Sequence, residues 1–156
     1  MPKLKKFKPV QQEAIEKELL GHYGPHMTFE AVEEEMGRVT AKTARKWLES
    51  LPVQKNGTKN LYLTADFAEL VYKCQEGELV VEKKIPKEVM ARDEYLRERH
   101  GGMMPLIAVA KEWGFKDADA IKEMLEGVVC VRINGKRRFR TIDIAKLEYS
   151  MQEVMS

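Results

Sequence analysis

A chain of 156 residues, 44% hydrophobic and 33% charged, has room for one mid-sized domain or two small ones and enough apolar material to bury a core, which excludes disorder as its main state. No apolar run approaches membrane-spanning length, the start lacks a signal peptide's apolar stretch, and two cysteines, Cys74 and Cys130, are too few for a disulfide framework. The expectation is a cytoplasmic protein with free thiols, and its net charge of +2, from 27 basic and 25 acidic side chains, names no polyanionic partner by itself.

The sequence repeats itself. At an offset of 77, residues 9–72 and 86–149 are identical at 18 of 64 positions without a gap. The matches fall on structural punctuation: Pro9 and Pro86, Gly24 and Gly101, Gly37 and Gly114, Thr64 and Thr141, Asp66 and Asp143. A one-residue slip also aligns Asn56-Gly57 with Asn134-Gly135. The expected organisation is a first copy over 1–75 with a basic N-terminal arm, a linker over 76–85 and a second copy over 86–156. Each copy is close to the lower size limit for an independent core, so the two are expected to pack together or to need a partner.

Taken in chain order, each copy opens with proline, which suits a first helical position because its missing N–H has no helical partner to lose. A helix is predicted from there to about Leu20, or about Arg99, with glycine beyond. A second helix carries Phe29, Val32 and Met36, or Leu106, Val109, Ala110 and Trp113, at helical spacing, and Gly37 or Gly114 stops it. Thr40 and Asp117 are plausible N-caps for a third helix. Its buried stripe is Ala44, Trp47, Leu48 and Leu51, or Ile121, Met124, Leu125 and Val128, spaced i, i+3, i+4, i+7. The period then changes to short strand-like runs around an Asn-Gly pair, which favours the positive-φ turn of a tight hairpin. A short helix follows each hairpin, with Phe67 and Leu70, or Ile144 and Leu147, facing inward. Leu79-Val80-Val81 in the linker could add a strand.

Two helices at a glycine-containing turn, followed by a hairpin, describe a winged helix-turn-helix, whose third helix enters the DNA major groove while the hairpin reaches backbone or minor groove. The fold class expected is therefore mainly α with small β-hairpins (α+β), as two tandem units of this kind. Away from its apolar stripe, the third helix of copy one shows Lys42, Thr43, Arg45, Lys46 and Glu49, of which the arginine, lysines and threonine are residue types that read base edges. The matching face of copy two shows Asp119, Lys122, Glu123 and Glu126, with Lys116 just before it, and its carboxylates make it a poor reader. Its hairpin has Arg132, Lys136, Arg137, Arg138 and Arg140 within nine residues and no acid, while the first hairpin has only Lys55 and Lys59. Such crowding favours an anion nearby, and a phosphate grip is the expected role. Lys3, Lys5, Lys6 and Lys8 form the basic arm. The Glu33-Glu34-Glu35 run reads as exposed helix, and Trp47 and Trp113 as core.

No Cys-x-x-Cys pattern, phosphate-binding loop or nucleophile motif is present, and Gly24-Pro25 separates His22 from His26. Neither an enzyme, a metal nor a cofactor is expected.

The stretch from Ala108-Val-Ala-Lys-Glu-Trp-Gly-Phe through Val131-Arg-Ile-Asn-Gly-Lys-Arg-Arg-Phe-Arg-Thr-Ile-Asp-Ile-Ala-Lys-Leu147 resembles the excisionase/MerR-type winged helix over about forty residues. The resemblance implies a DNA-binding accessory or regulatory protein, acting in recombination or transcription. It would place Lys136, Arg137, Arg138 and Arg140 on a DNA-contacting wing, with Lys116 and Lys122 on the reader helix. Family members usually have one such unit, not two, and the acidic second reader is atypical of them. The alternative from another class is a duplicated winged-helix module that has lost DNA binding and docks a protein partner or forms a homodimer.

Overall fold

The computed structural model describes residues 9–77 and 85–155, with side chains to residue 152. Among the described residues, the chain is an α+β protein of eight helices and two small antiparallel sheets. The first half runs α1 (Val10–Tyr23), β1 (His26–Thr28), α2 (Phe29–Glu35), α3 (Ala41–Trp47), β2 (Gln54–Asn56), β3 (Lys59–Leu63), α4 (Thr64–Lys73) and β4 (Gln75–Glu76). The second runs α5 (Lys87–His100), β5 (Met103–Pro105), α6 (Leu106–Glu112), α7 (Asp119–Lys122), β6 (Cys130–Ile133), β7 (Lys136–Arg140) and α8 (Thr141–Met155). Apart from β4, each element of the first half begins within one residue of its counterpart 77 positions later.

Local chemistry explains most boundaries. Thr28 and Thr40 cap α2 and α3 by accepting from the Ala31 and Thr43 amides, and the Asp117 carboxylate accepts from Ala120 at the start of α7. Gly37 and Gly114 take positive φ after α2 and α6. Pro9 and Pro86 sit one position earlier than expected, as extended N-cap residues. Strands β1 and β5 were not legible because three residues are too few to show an alternation. Both Asn-Gly pairs lie at hairpin tips, in different registers. The second loop is Asn134-Gly135, both with positive φ; the first is Gly57-Thr58, with Asn56 still paired to Lys59. Pairing thus keeps the gap-free offset, and the slipped alignment has no structural counterpart.

The two halves share a core. The sheet of order β4-β6-β7-β5 lies between them, buried on both faces. Val131, Ile133 and Met103 enter the cluster built from Ile15, Leu19, Val32, Met36, Trp47 and Phe67 of the first half. The alternate residues Cys130, Phe139 and Met104 enter the second cluster, with Leu96, Val109, Ile121 and Leu125. β4 of the first half completes this sheet by pairing with β6. The other sheet, β1-β3-β2, keeps its hairpin exposed, and every residue of β2 faces solvent. Gly101 and Gly102 matter here: the Gly102 amide donates to the Glu34 carbonyl, and a Cβ at either glycine would collide with the backbone or carboxylate of residues 34–35.

Two expectations about packing change. Glu35, read as exposed, is fully buried. Helix α7 stops after four residues, so Met124 is 46% exposed, whereas its counterpart Trp47 is 8% exposed. The basic arm and the Leu79-Val80-Val81 run lie outside the described residues.

Candidate functional site

Charge is concentrated in two places, one buried and one exposed. The buried group forms where α1, α2, α5 and β7 meet. Arg97 donates twice to Glu35, at 2.6 and 2.8 Å, and once to Glu18 at 3.0 Å. Arg140, at the end of β7, reaches Glu18 at 2.9 Å and Glu35 at 3.8 Å. The Tyr23 hydroxyl donates to Glu35 at 3.0 Å, and the Thr141 hydroxyl donates to Asp93 at 2.6 Å. Burial opposes the charge on Glu18, but Arg140 and then Arg97 outweigh it and hold its carboxyl below the usual range. Asp143 lacks such help: burial pushes it up to about 6, against the pull of Arg140, and no hydrogen-bond partner meets its carboxylate. Glu18, His22 and Asp93 offer ligand atoms within 4.8 Å of one another, but the Arg97 and Arg140 cations already neutralise that cluster.

This network accounts for much of the second hairpin's basic character. Arg140 is 2% exposed and spent on internal carboxylates, so it is not a surface phosphate contact, contrary to the sequence expectation. Arg138 is half-buried and donates to the Met36 carbonyl across the boundary between the halves. Arg137 is half-buried over the Phe139 ring and donates to the Leu125 carbonyl and the Cys130 sulfur. Arg132 is exposed but paired with Glu76 at 3.0 Å. Of the five cations, Lys136 alone is exposed without a carboxylate or carbonyl partner among the described residues. Two of the five cations, Arg132 and Arg140, therefore meet carboxylates within the fold, and Arg137 and Arg138 are engaged by carbonyls.

The exposed group is on α3. Lys42, Arg45 and Lys46 all face solvent at i, i+3, i+4, and no carboxylate pairs with any of them among the described residues. The other side of α3 is fixed in place: Ala44 and Trp47 are buried, and the Trp47 indole donates to the Arg132 carbonyl at 3.2 Å. Arg45 lies over the Phe29 ring, 5.6 Å from its centroid. A shallow depression of about 410 Å³ beside it is lined by Phe29, Glu30, Arg45, Lys59 and Tyr62, bringing the first hairpin's Lys59 into the same surface. Thr43, expected to reach bases, is half-buried; its hydroxyl bonds Thr40, and its carbonyl accepts from Asn134 at 3.2 Å. That contact sets the tip of the second hairpin against the flank of α3. Lys116 and Lys122 are exposed on the second half, among Asp117, Asp119 and Glu123, and are not brought to this surface by any observed contact.

The residues missed by sequence reasoning are Glu18, Glu35, Asp93 and Arg97. One signal was present: Glu35 follows Val32 by three positions on the apolar stripe, and the glutamate recurs as Glu112. The pair is used alike in both halves, Glu35 meeting Tyr23 and Glu112 meeting its counterpart His100 at 2.8 Å.

No protein-family model, curated protein or solved structure matches the chain. Among the described residues, no helix is long and apolar enough to cross a membrane.

Proposed function

We propose that the chain is a double-stranded DNA-binding accessory or regulatory protein of excisionase-like type, made of two winged helix-turn-helix units of which only the first reads DNA. The observation that carries this reading is the face of Lys42, Arg45 and Lys46 on α3: three solvent-facing cations with no carboxylate partner among the described residues, on a helix clamped from behind by the shared core. An arginine held by stacking on Phe29 has lost part of its rotamer freedom before binding, which favours bidentate donation to a guanine edge. Lys55 and Lys59 on the first hairpin, and Lys136 beside the tip that touches α3, supply phosphate contacts on either flank.

The second unit takes a different part from the one its sequence suggests. Its hairpin forms the middle of the central sheet, and Asp119 of α7 with Glu123 and Glu126 of the turn after it face solvent around Lys122, a surface on which acids outnumber cations and phosphate is disfavoured. The footprint on DNA is therefore short and asymmetric, one reading helix with flanking backbone contacts. The test is Arg45→Ala on a site selected from random duplexes. A loss of roughly 1–3 kcal/mol on that site, with a smaller loss on random DNA, supports base reading. Equal losses on both overturn it.

A further inference from the structure

An apolar groove of about 900 Å³ opens on the second half between α5, α6–α7 and α8, and its floor and walls include Trp113, Phe115, Met124, Tyr149 and Met151. Phe115 and Met124 are well exposed there. The internal repeat identifies what this groove is. Moving four of its lining residues back 77 positions gives Met36 for Trp113, Trp47 for Met124, Cys74 for Met151 and Gln75 for Gln152. Those four positions are where the first half grips the β6–β7 hairpin. The Trp47 indole donates to the Arg132 carbonyl, the Met36 carbonyl accepts from Arg138, the Cys74 carbonyl accepts from the Arg132 amide, and Gln75 pairs with Val131. The face that a hairpin fills in the first half is open in the second at Trp113 and Met124, while Met151 and Gln152 lie within α8, where the first half has instead ended α4 and begun β4.

We infer that the groove on the second half is a docking site for a β-hairpin of a protein partner, one that presents two branched apolar side chains at alternate positions and basic residues beside them. This inference does not rest on the DNA-binding reading. The seated hairpin of the first half is the template: Val131 and Ile133 point into the shared core while Arg132, Lys136 and Arg138 border them. Charge strengthens the match at the open site. Its lining carries Glu88 beside the Arg92–Glu148 ion pair, and the adjoining turn after α7 carries Glu123 and Glu126; Glu88, Glu123 and Glu126 are exposed and have no cation partner among the described residues. The counterparts of Glu88 and Glu123 are Gln11 and Lys46, so the vacant groove is the more acidic of the two and the better suited to a basic strand. A second copy of this chain is the poorer occupant. The hairpin it could offer by repeating the internal arrangement has Gln54 and Asn56 where Val131 and Ile133 stand, and burying two amides on an apolar floor without partners is unfavourable.

The probe is a cyclised peptide with the sequence of residues 129–140, titrated into the full chain while Trp113 fluorescence is followed. Competition from the hairpin already seated on the first half is excluded by its intramolecular effective concentration. Saturable binding is expected, weakened at least tenfold by Met124→Glu or by Phe115→Ser in the chain, and abolished by Val131→Ser with Ile133→Ser in the peptide. Because Met124 and Phe115 are exposed, both variants fold, which circular dichroism checks. Absence of peptide binding overturns the inference, as does binding that is equally strong in both groove variants. Self-association of the unliganded chain that Met124→Glu dissolves also overturns it, by making a second copy the occupant.

Discussion

Replacing Arg140 by Leu, the residue found at its counterpart Leu63, separates an internal role for this arginine from a DNA-contacting one. The guanidinium sits 2.9 Å from Glu18 and 3.8 Å from Glu35, with a side chain only 3% exposed. Without it, Arg97 is the one arginine or lysine left among the described residues to serve Glu18, Glu35 and Asp93. Removing one partner of a buried ion pair costs about 3–5 kcal/mol, mostly as the penalty of the charge left behind. Arg97 keeps both hydrogen bonds to Glu35 and one to Glu18, so the loss belongs at the low end, about 3 kcal/mol. A domain with about 5–15 kcal/mol of total stability survives that loss as a folded but weakened protein. Urea unfolding at pH 7.5, followed by circular dichroism, reads the change directly. Adding Glu18→Gln to Arg140→Leu removes the orphaned charge and should restore about 1–2 kcal/mol, a coupling of the size seen between contacting groups. Affinity for DNA per folded molecule, and its salt dependence, should not move. A variant with an unchanged urea midpoint but a salt slope shallower by about one unit would refute the reasoning, since it would place Arg140 on a phosphate.

The neighbouring arginines behave in the same sense. Arg137→Ala and Arg138→Ala lose donation to the Leu125 and Met36 carbonyls, and each should cost about 1–2 kcal/mol in urea titrations while leaving the salt slope of DNA binding nearly unchanged. Asp143 gives a pH signature. Its folded carboxyl titrates near 6 against 3.8 for the free side chain, so the folded state binds this proton more tightly than the unfolded chain does. Its contribution is therefore fully present at low pH and is lost as pH rises from about 4 through 6. Two pK units correspond to about 3 kcal/mol, so Asp143→Asn should flatten this part of the stability–pH curve and be more stable than the parent above pH 6 by up to that amount. Thermal melts from pH 4 to pH 8 check it, and identical curves for the two proteins would contradict the buried placement.

The order of elements was legible because both halves keep much of their punctuation: the opening prolines, the positive-φ glycines after the first and second helices, and an Asn-Gly at each hairpin tip survive the divergence between them. The buried role of the second hairpin was harder to see. Its basic residues at 136, 138 and 140 alternate along one face, which reads equally well as a phosphate-facing strand. The discriminating detail lies on β6, where Cys130, Val131 and Ile133 put apolar side chains on both faces, as a strand covered on both sides does, while β2 has Gln54, Lys55 and Asn56. The ion network was invisible for a different reason. Arg97 and Glu35 are 62 residues apart, and no spacing rule links groups brought together by the docking of one half on the other. The α3 face, by contrast, was readable from i, i+3, i+4 spacing, except that Thr43 turned inward under Asn134.

The central claim is that DNA is met by α3 of the first half and not by the arginines of the second hairpin. Fluorescence anisotropy of a labelled duplex, titrated with the chain across a range of salt concentrations, measures it most directly when the parent is compared with a Lys42→Ala, Arg45→Ala, Lys46→Ala variant. Each lost phosphate contact reduces the log–log slope by about 0.9, so loss of Lys42 and Lys46 should lower the slope by about two units and, together with the lost base contact of Arg45, remove most of the affinity at low salt, with the urea midpoint unchanged. A triple variant that keeps the parent's slope and affinity would contradict the account.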